Sequence, residues 1–375
     1  MLTYVLACLL HLSQPVATLK ADPQSANAAE RYMALLDTMD KEIVDRAWAV
    51  EDDPQTFHLG DHDDLEFTAD DVRSSLVAQK EWIARVVETA RMERCEFGVP
   101  AEELGSLQRV ADPPISLKQL RRLGPILHAD ACRRWADGDG DGAIERIVGR
   151  IELARDLAAV PSPMWMLVAE PELAGALQLA STGFESETTS KRVTEAGRAN
   201  LRAAIATLDA TDPLGTFARW KADRDRLFTF ADQHLKGDIV GDPLLLYLAQ
   251  MAVVVVMDQS DLSERLRVAA GDGMLLDPDK EDDILKIMRA EPSMSAKSLR
   301  KSLDRAREVG KQMEELWTKK DVRQELKDLG SEVDGDLIAV SALIPYVYQR
   351  WEKCNDLATA LDWLKTVIAL DEPSK

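Results

Sequence analysis

Three aspartates alternating with glycines, Asp137-Gly138-Asp139-Gly140-Asp141-Gly142, form the run whose residue types and spacing most directly imply chemistry. Such a run can open a calcium loop. That loop takes oxygen ligands from positions 1, 3 and 5, a glycine at 6, an apolar residue at 8 and a bidentate glutamate at 12. Counted from Asp137, the chain supplies Asp139, Asp141, Gly142 and Ile144 in register, with Glu145 at position 9. Position 12 is Val148, so the carboxylate that should wrap the ion is missing. The competing reading is a tight turn between helices. Leu117, Leu120, Gly124, Leu127, Ala131 and Trp135 recur at three- and four-residue steps before it. Ile144, Ile147, Val148, Ile151, Ala154 and Ala158 do so after it. A glycine would then take the left-handed conformation after the first helix, Asp141 would cap the second, and the two would pack as an antiparallel hairpin. We read the segment as that turn. Calcium or another divalent cation on Asp137, Asp139 and Asp141 is the alternative.

A second acidic segment holds His58 and His62, the only two of the five histidines close in sequence. Residues 51–71 contain nine carboxylates and no lysine or arginine. Gly60-Asp61-His62-Asp63-Asp64 matches the Gly-Asp-x-x-Asp element of metallophosphatases, without the upstream Asp-x-His and downstream Gly-Asn-His that such enzymes need. A divalent-metal centre on His58, Asp61, His62 and Asp64 would make the protein a metal-dependent enzyme. The expected reading is a solvated acidic loop, because so many carboxylates repel one another and resist burial without cations.

Other chemistry is sparse. There is no HExxH, no Gly-x-Ser-x-Gly, no phosphate-cradling GxxxxGK[ST] and no GxGxxG after a strand. His128 and Cys132 lie one helical turn apart and could form a thiol–imidazole dyad, but their helix reads as packed core. The cysteines, Cys8, Cys95, Cys132 and Cys354, suit neither a zinc site nor a redox pair, and the last three are expected as small buried side chains.

The elements that must carry these residues are helices. The chain has 375 residues, 46% apolar and 30% charged, a globular composition long enough for two or three domains. Its formal charge of −20 disfavours nucleic acid or an anionic membrane as partner, and the pairs Arg121-Arg122 and Arg133-Arg134 read as helix-face charges. Periodicity places helices near 26–49, 69–93, 116–136, 143–160, 163–181, 189–209, 214–235, 243–257, 279–290, 295–319, 335–353 and 355–370, with no sustained strand alternation. Pro125, Pro171 and Pro345 fall inside these segments and should kink them or mark boundaries. The run Leu244 to Met257 is too short to span a bilayer. The expected fold is all-α, an irregular, solenoid-like array of antiparallel helical hairpins. It has the shape of tetratricopeptide repeats without their signature, since Asp130 stands where leucine belongs and Arg150 where a small residue belongs. Expected domains are 22–236 and 243–375, after a signal peptide or N-terminal helix at 1–21; the apolar run Leu2–Leu10 points to export.

Arg94-Cys95-Glu96-Phe97-Gly98, the long helix before the Gly-Asp turn, the Ile151-Glu152-Leu153-Ala154 region and the proline-bounded helix after it resemble a group of largely helical planctomycete proteins, many of them exported. The resemblance covers about residues 80–180. It implies an all-α, exported protein and assigns no activity or site residues. The expected function is a non-enzymatic helical scaffold that binds a protein or peptide partner between hairpins, needing no cofactor. The alternative is the metal-dependent enzyme.

Overall fold

Small polar residues start five of the described helices, each accepting a hydrogen bond from an otherwise unpaired amide of the first turn. Asn27 caps α1 (Ala28–Asp37), Asp139 caps α7 (Gly140–Ala158), Ser186 caps α9 (Glu187–Ser190), Thr194 caps α10 (Glu195–Ala206) and Ser295 caps α14 (Ala296–Trp317). The computed structural model describes residues 22–52, 69–97, 117–160, 163–252, 262, 265–266, 268, 280–319, 322–332 and 347–370. The other elements in chain order are α2 (Lys41–Asp52), α3 (Ala69–Ala78), α4 (Lys80–Ala90), α5 (Leu117–Leu120), α6 (Leu123–Ala136), α8 (Pro163–Glu185), α11 (Thr216–His234), α12 (Asp242–Met251), α13 (Glu281–Ala290), α15 (Arg323–Glu332) and α16 (Val347–Leu370). The protein is all-α. Among the described residues the only sheet pairs Leu235–Lys236 antiparallel with Ile239–Val240. No described helix is long and apolar enough to cross a membrane.

Several expected helices divide. The segment 26–49 breaks at Thr38-Met39-Asp40, and 69–93 breaks at Gln79. The segment 116–136 splits at Arg121-Arg122, which puts Pro125 in the first turn of α6, where its missing N–H costs no helical bond. Helix α8 continues through Pro171. Pro345, most of the 335–353 segment, the leader 1–21 and the acidic loop through residue 68 lie outside the described residues.

Helix α7 is the axis of the first half and packs on α4, α6, α8 and α10. Directions follow from the pairing. Arg146 of α7 reaches Asp130 of α6, and Arg150 reaches His128, so α6 and α7 run antiparallel. Gly124 and Gly183 bring Glu172 and Trp135 against the opposite helix, so α8 runs parallel to α6. The expected stripe Ile144, Ile147, Val148, Ile151, Ala154 and Ala158 on α7 is core, and so are Leu299, Leu303, Ala306, Val309, Met313 and Trp317 on α14. Buried apolar residues form two clusters. The first draws on residues 28–214 and ends with Leu357, Leu361, Leu364, Val367 and Ile368 of α16. The second runs from Trp220 to Leu326 and includes Cys354. Helix α16 packs on both α8 and α15, so one element serves both clusters.

Candidate functional site

The first three residues of the Gly-Asp run link α6 to α7, and the last three open α7. Gly138 has φ +85°, the left-handed conformation that stops α6 and that a residue with a Cβ resists. The cap of α7 is Asp139, not the expected Asp141: its Oδ1 accepts from the Gly142 amide at 2.9 Å. Asp139 also pairs with Arg134. Asp137 accepts from Arg133 at 2.9 Å and pairs with Arg73. Asp141 faces away toward α10, accepting from the Thr194 amide at 2.8 Å and its hydroxyl at 2.7 Å. The three carboxylates thus serve three different neighbours, and Val148 is buried in the core. Among the described residues, no three His, Cys, Asp or Glu side chains converge as metal ligands would. His58, Asp61, His62 and Asp64 lie outside the described residues.

Beneath this turn sit two buried ion networks. Asp130, 1% exposed, accepts from Arg133 at 2.6 Å, Arg134 at 3.1 Å and Arg146 at 2.8 Å. Burial pushes its carboxyl up, but the guanidiniums of Arg133 and Arg146 outweigh that and hold it below the ordinary aspartate value. One turn away, Arg150 donates to Glu172 at 2.7 Å and lies 3.0 Å from His128 Nδ1. Glycine makes room for this pair: a Cβ on Gly124 would overlap the Glu172 carboxylate, and one on Gly175 would meet the Arg150 guanidinium. The two residues that break the tetratricopeptide signature, Asp130 and Arg150, are therefore the centres of these networks. Burial, then the charge of Arg150, pushes the His128 imidazole down to about 3, so it stays neutral. The Cys132 thiol is pushed up by burial to about 12. With the thiol un-ionised and both residues buried, the pair cannot act as a nucleophilic dyad.

A different place presents polar side chains to solvent. A cleft of about 810 Å³ opens between the segment after α4, the C-terminal end of α7 and the link from α10 into α11. Its wall includes Arg91, Cys95, Glu152, Asp156, Asp209 and Arg219. The strand-like stretch 94–97 is held against the start of α1. The Ala28 amide donates to the Arg94 carbonyl at 2.8 Å, and the Asn27 side chain both donates to the Glu96 carbonyl at 2.9 Å and accepts from its amide at 2.8 Å. Alternate residues then part ways. Phe97 enters the core against Tyr32 and Trp165, while Cys95 stays half-buried on the cleft wall. This departs from the expectation of a wholly buried Cys95.

Asp156 is the centre of the cleft's chemistry. Tyr32, itself fully buried, donates its hydroxyl to Asp156 at 2.9 Å, and the Cys95 thiol bonds the same carboxyl. Burial is the main force on Asp156 and raises it; Glu152, one turn back on α7, adds to the rise. The bonds from Tyr32 and Cys95 and the charge of Arg155 oppose it, and the balance is about 7. Burial and the neighbouring Asp156 push both the Cys95 thiol and the Tyr32 phenol up. The thiol is therefore no nucleophile, whereas the carboxyl changes charge near neutrality. Across the cleft the acids are engaged. Asp209 is held below its ordinary value by the Thr211 hydroxyl and by the amides of Thr211 and Asp212. Asp212 caps α11, accepting from the Thr216 amide at 2.7 Å and the Phe217 amide at 3.0 Å.

Sequence reading singled out neither the cleft nor Asp156. No family model, curated protein or solved structure matches the chain.

Proposed function

We propose that the protein is a non-enzymatic helical scaffold that binds a protein or peptide partner in the cleft between the segment following α4, the end of α7 and the entry to α11. One observation carries the reading. Asp130, Arg133, Arg146, Arg150 and Glu172, buried on α6–α8, are consumed by pairs within the chain, while the cleft leaves polar side chains facing solvent across a volume suited to a ligand. The hydrogen bonds of 94–97 to α1, the end of α7 and the Asp212 bonds to the start of α11 fix the walls, which favours binding to a preformed surface. The high thiol pKa of Cys95 speaks for recognition over covalent chemistry at this place. The test is photocrosslinking in cells. A benzophenone amino acid replaces Thr207, on the cleft rim, or Glu187, outside it. We expect a discrete adduct from position 207 only, with mass spectrometry showing the partner otherwise unaltered. Equal labelling from both positions, or a partner recovered cleaved or chemically changed, overturns the scaffold reading.

A further inference from the structure

We propose that the cleft selects a basic peptide, seating a lysine or arginine side chain against Asp156 and Glu152. The inference rests on the scaffold reading and names the chemistry its partner must carry. Asp156 lies on the cleft wall, and its hydrogen bonds come from two neutral donors, the Tyr32 hydroxyl and the Cys95 thiol. Glu152 stands one helical turn away on the same wall, so the two carboxyls reinforce each other. Of the wall's cations, Arg155 and Arg219 are committed to partners other than Asp156, and Arg91 stands on the segment after α4. Arg155 pairs with Glu152, and Arg219 donates through Nε to the Leu214 carbonyl at 3.2 Å. A guest ammonium or guanidinium would supply the charged donor that this carboxyl lacks among the described residues. The formal charge of −20 would draw such a guest in and repel acidic ones.

The same geometry makes binding proton-linked. The groups facing Asp156 are Tyr32 from α1, Cys95 from the segment after α4, and Glu152 and Arg155 from α7; Arg91 and Glu93 line the cleft beside Cys95, and Asp209, Asp212 and Arg219 stand on the other wall. With the carboxyl titrating at about 7, the guest must displace its proton below neutrality, so affinity rises as pH rises.

The probe is a short dye-labelled peptide of alternating lysine and alanine, with N-terminus acetylated and C-terminus amidated. Glutamine and glutamate versions of it serve as comparators. Binding to the full chain is read by fluorescence anisotropy in physiological salt at pH 6 and pH 8. The lysine peptide should bind tightest, and its Kd should fall about tenfold between these pH values as the carboxyl ionises. Asp156→Asn keeps an acceptor for Tyr32; it should abolish the pH dependence and weaken binding about tenfold at pH 8, in line with one lost charge-assisted bond. Asp45→Asn, an exposed change outside the cleft, should do neither. Unchanged far-ultraviolet circular dichroism shows that both variants fold. Equal loss in both variants would reduce the effect to net charge and overturn the proposal. A pH-independent Kd, or displacement of the peptide by n-butylammonium at equal affinity, overturns it too. Tighter binding of the glutamine or glutamate peptide, weakened by Arg219→Gln, rejects the basic guest while leaving the scaffold reading intact. The scaffold reading itself falls only on the crosslinking outcomes: no adduct from position 207, equal labelling from both positions, or a partner recovered altered.

Discussion

At Asp139 a single side chain closes a helix end and pairs with Arg134, and substitutions separate the two roles. Asp139→Asn keeps the capping oxygen and should cost less than about 1 kcal/mol; Asp139→Ala should cost about 0.5–2 kcal/mol. Millimolar calcium or a chelator should leave the melting temperature unchanged, because each carboxylate of the turn already has a partner. A calcium-dependent rise abolished by Asp139→Asn would reverse this. Gly142→Val should destabilise through collision with the Asp139 cap and Arg134, since the left-handed residue of the turn is Gly138. Two ionisable groups, half-buried Asp156 and buried His128, set opposite pH slopes. The carboxyl of Asp156 is raised above its unfolded value, so its contribution is full below about pH 4 and is lost as pH rises through about 7. His128 is depressed, so its contribution is present above about 6.5 and is lost as pH falls toward about 3. Thermal melts should therefore show Asp156→Asn gaining on the parent from pH 4 to 8. His128→Gln should gain on it from pH 6.5 down to 4. Reversed slopes would show that neither residue titrates as described. The turn and its left-handed glycine were legible because both depend on local spacing. The displacement of the cap from Asp141 to Asp139 was not, because Asp141 is drawn to Thr194, 53 residues away.

Among the elements, α6, α7 and α8 meet through a buried ion pair where apolar packing was expected. Removing one partner leaves an uncompensated charge, so Glu172→Gln or Arg150→Met alone should cost about 3–5 kcal/mol. Replacing both, Arg150→Met with Glu172→Leu, should cost less than either single change, because no buried charge is left stranded. Gly124→Ala should also destabilise, since its Cβ would displace the Glu172 carboxylate. Urea titrations of the four variants check the order, and a double variant worse than both singles would refute it. Helix existence was legible in most of the described chain because apolar periodicity reports burial of a face, but α15 (Arg323–Glu332) fell between the expected helices and was missed. The break at Gln79 was not legible, because no glycine or proline punctuates it, whereas Pro125 marked the boundary that falls at Arg121-Arg122. Asp130 and Arg150 were visible as departures from a repeat signature, and their partners were not. The cleft stayed hidden for a similar reason: its central bond joins Tyr32 to Asp156 across 124 residues.

For the whole molecule, α16 is the element that both core clusters share. Its five buried residues in the first cluster contribute on the order of 10 kcal/mol at about 1.5–3 kcal/mol each, comparable with the entire net stability of a domain. A chain ending at residue 346 should therefore lose cooperative unfolding and bind the dye ANS, even though residues 28–214 are intact. A sharp melt at the parent temperature would contradict this. The arrangement also orders events in time. During synthesis the helices built from residues 28–214 leave the ribosome well before residues 357–368, which close their core. Until then that surface stays open, so the first half is made early and finished late. Its dependence on chaperones should be greatest in that interval, and pausing of translation upstream of α16 should harm this protein more than pausing after it.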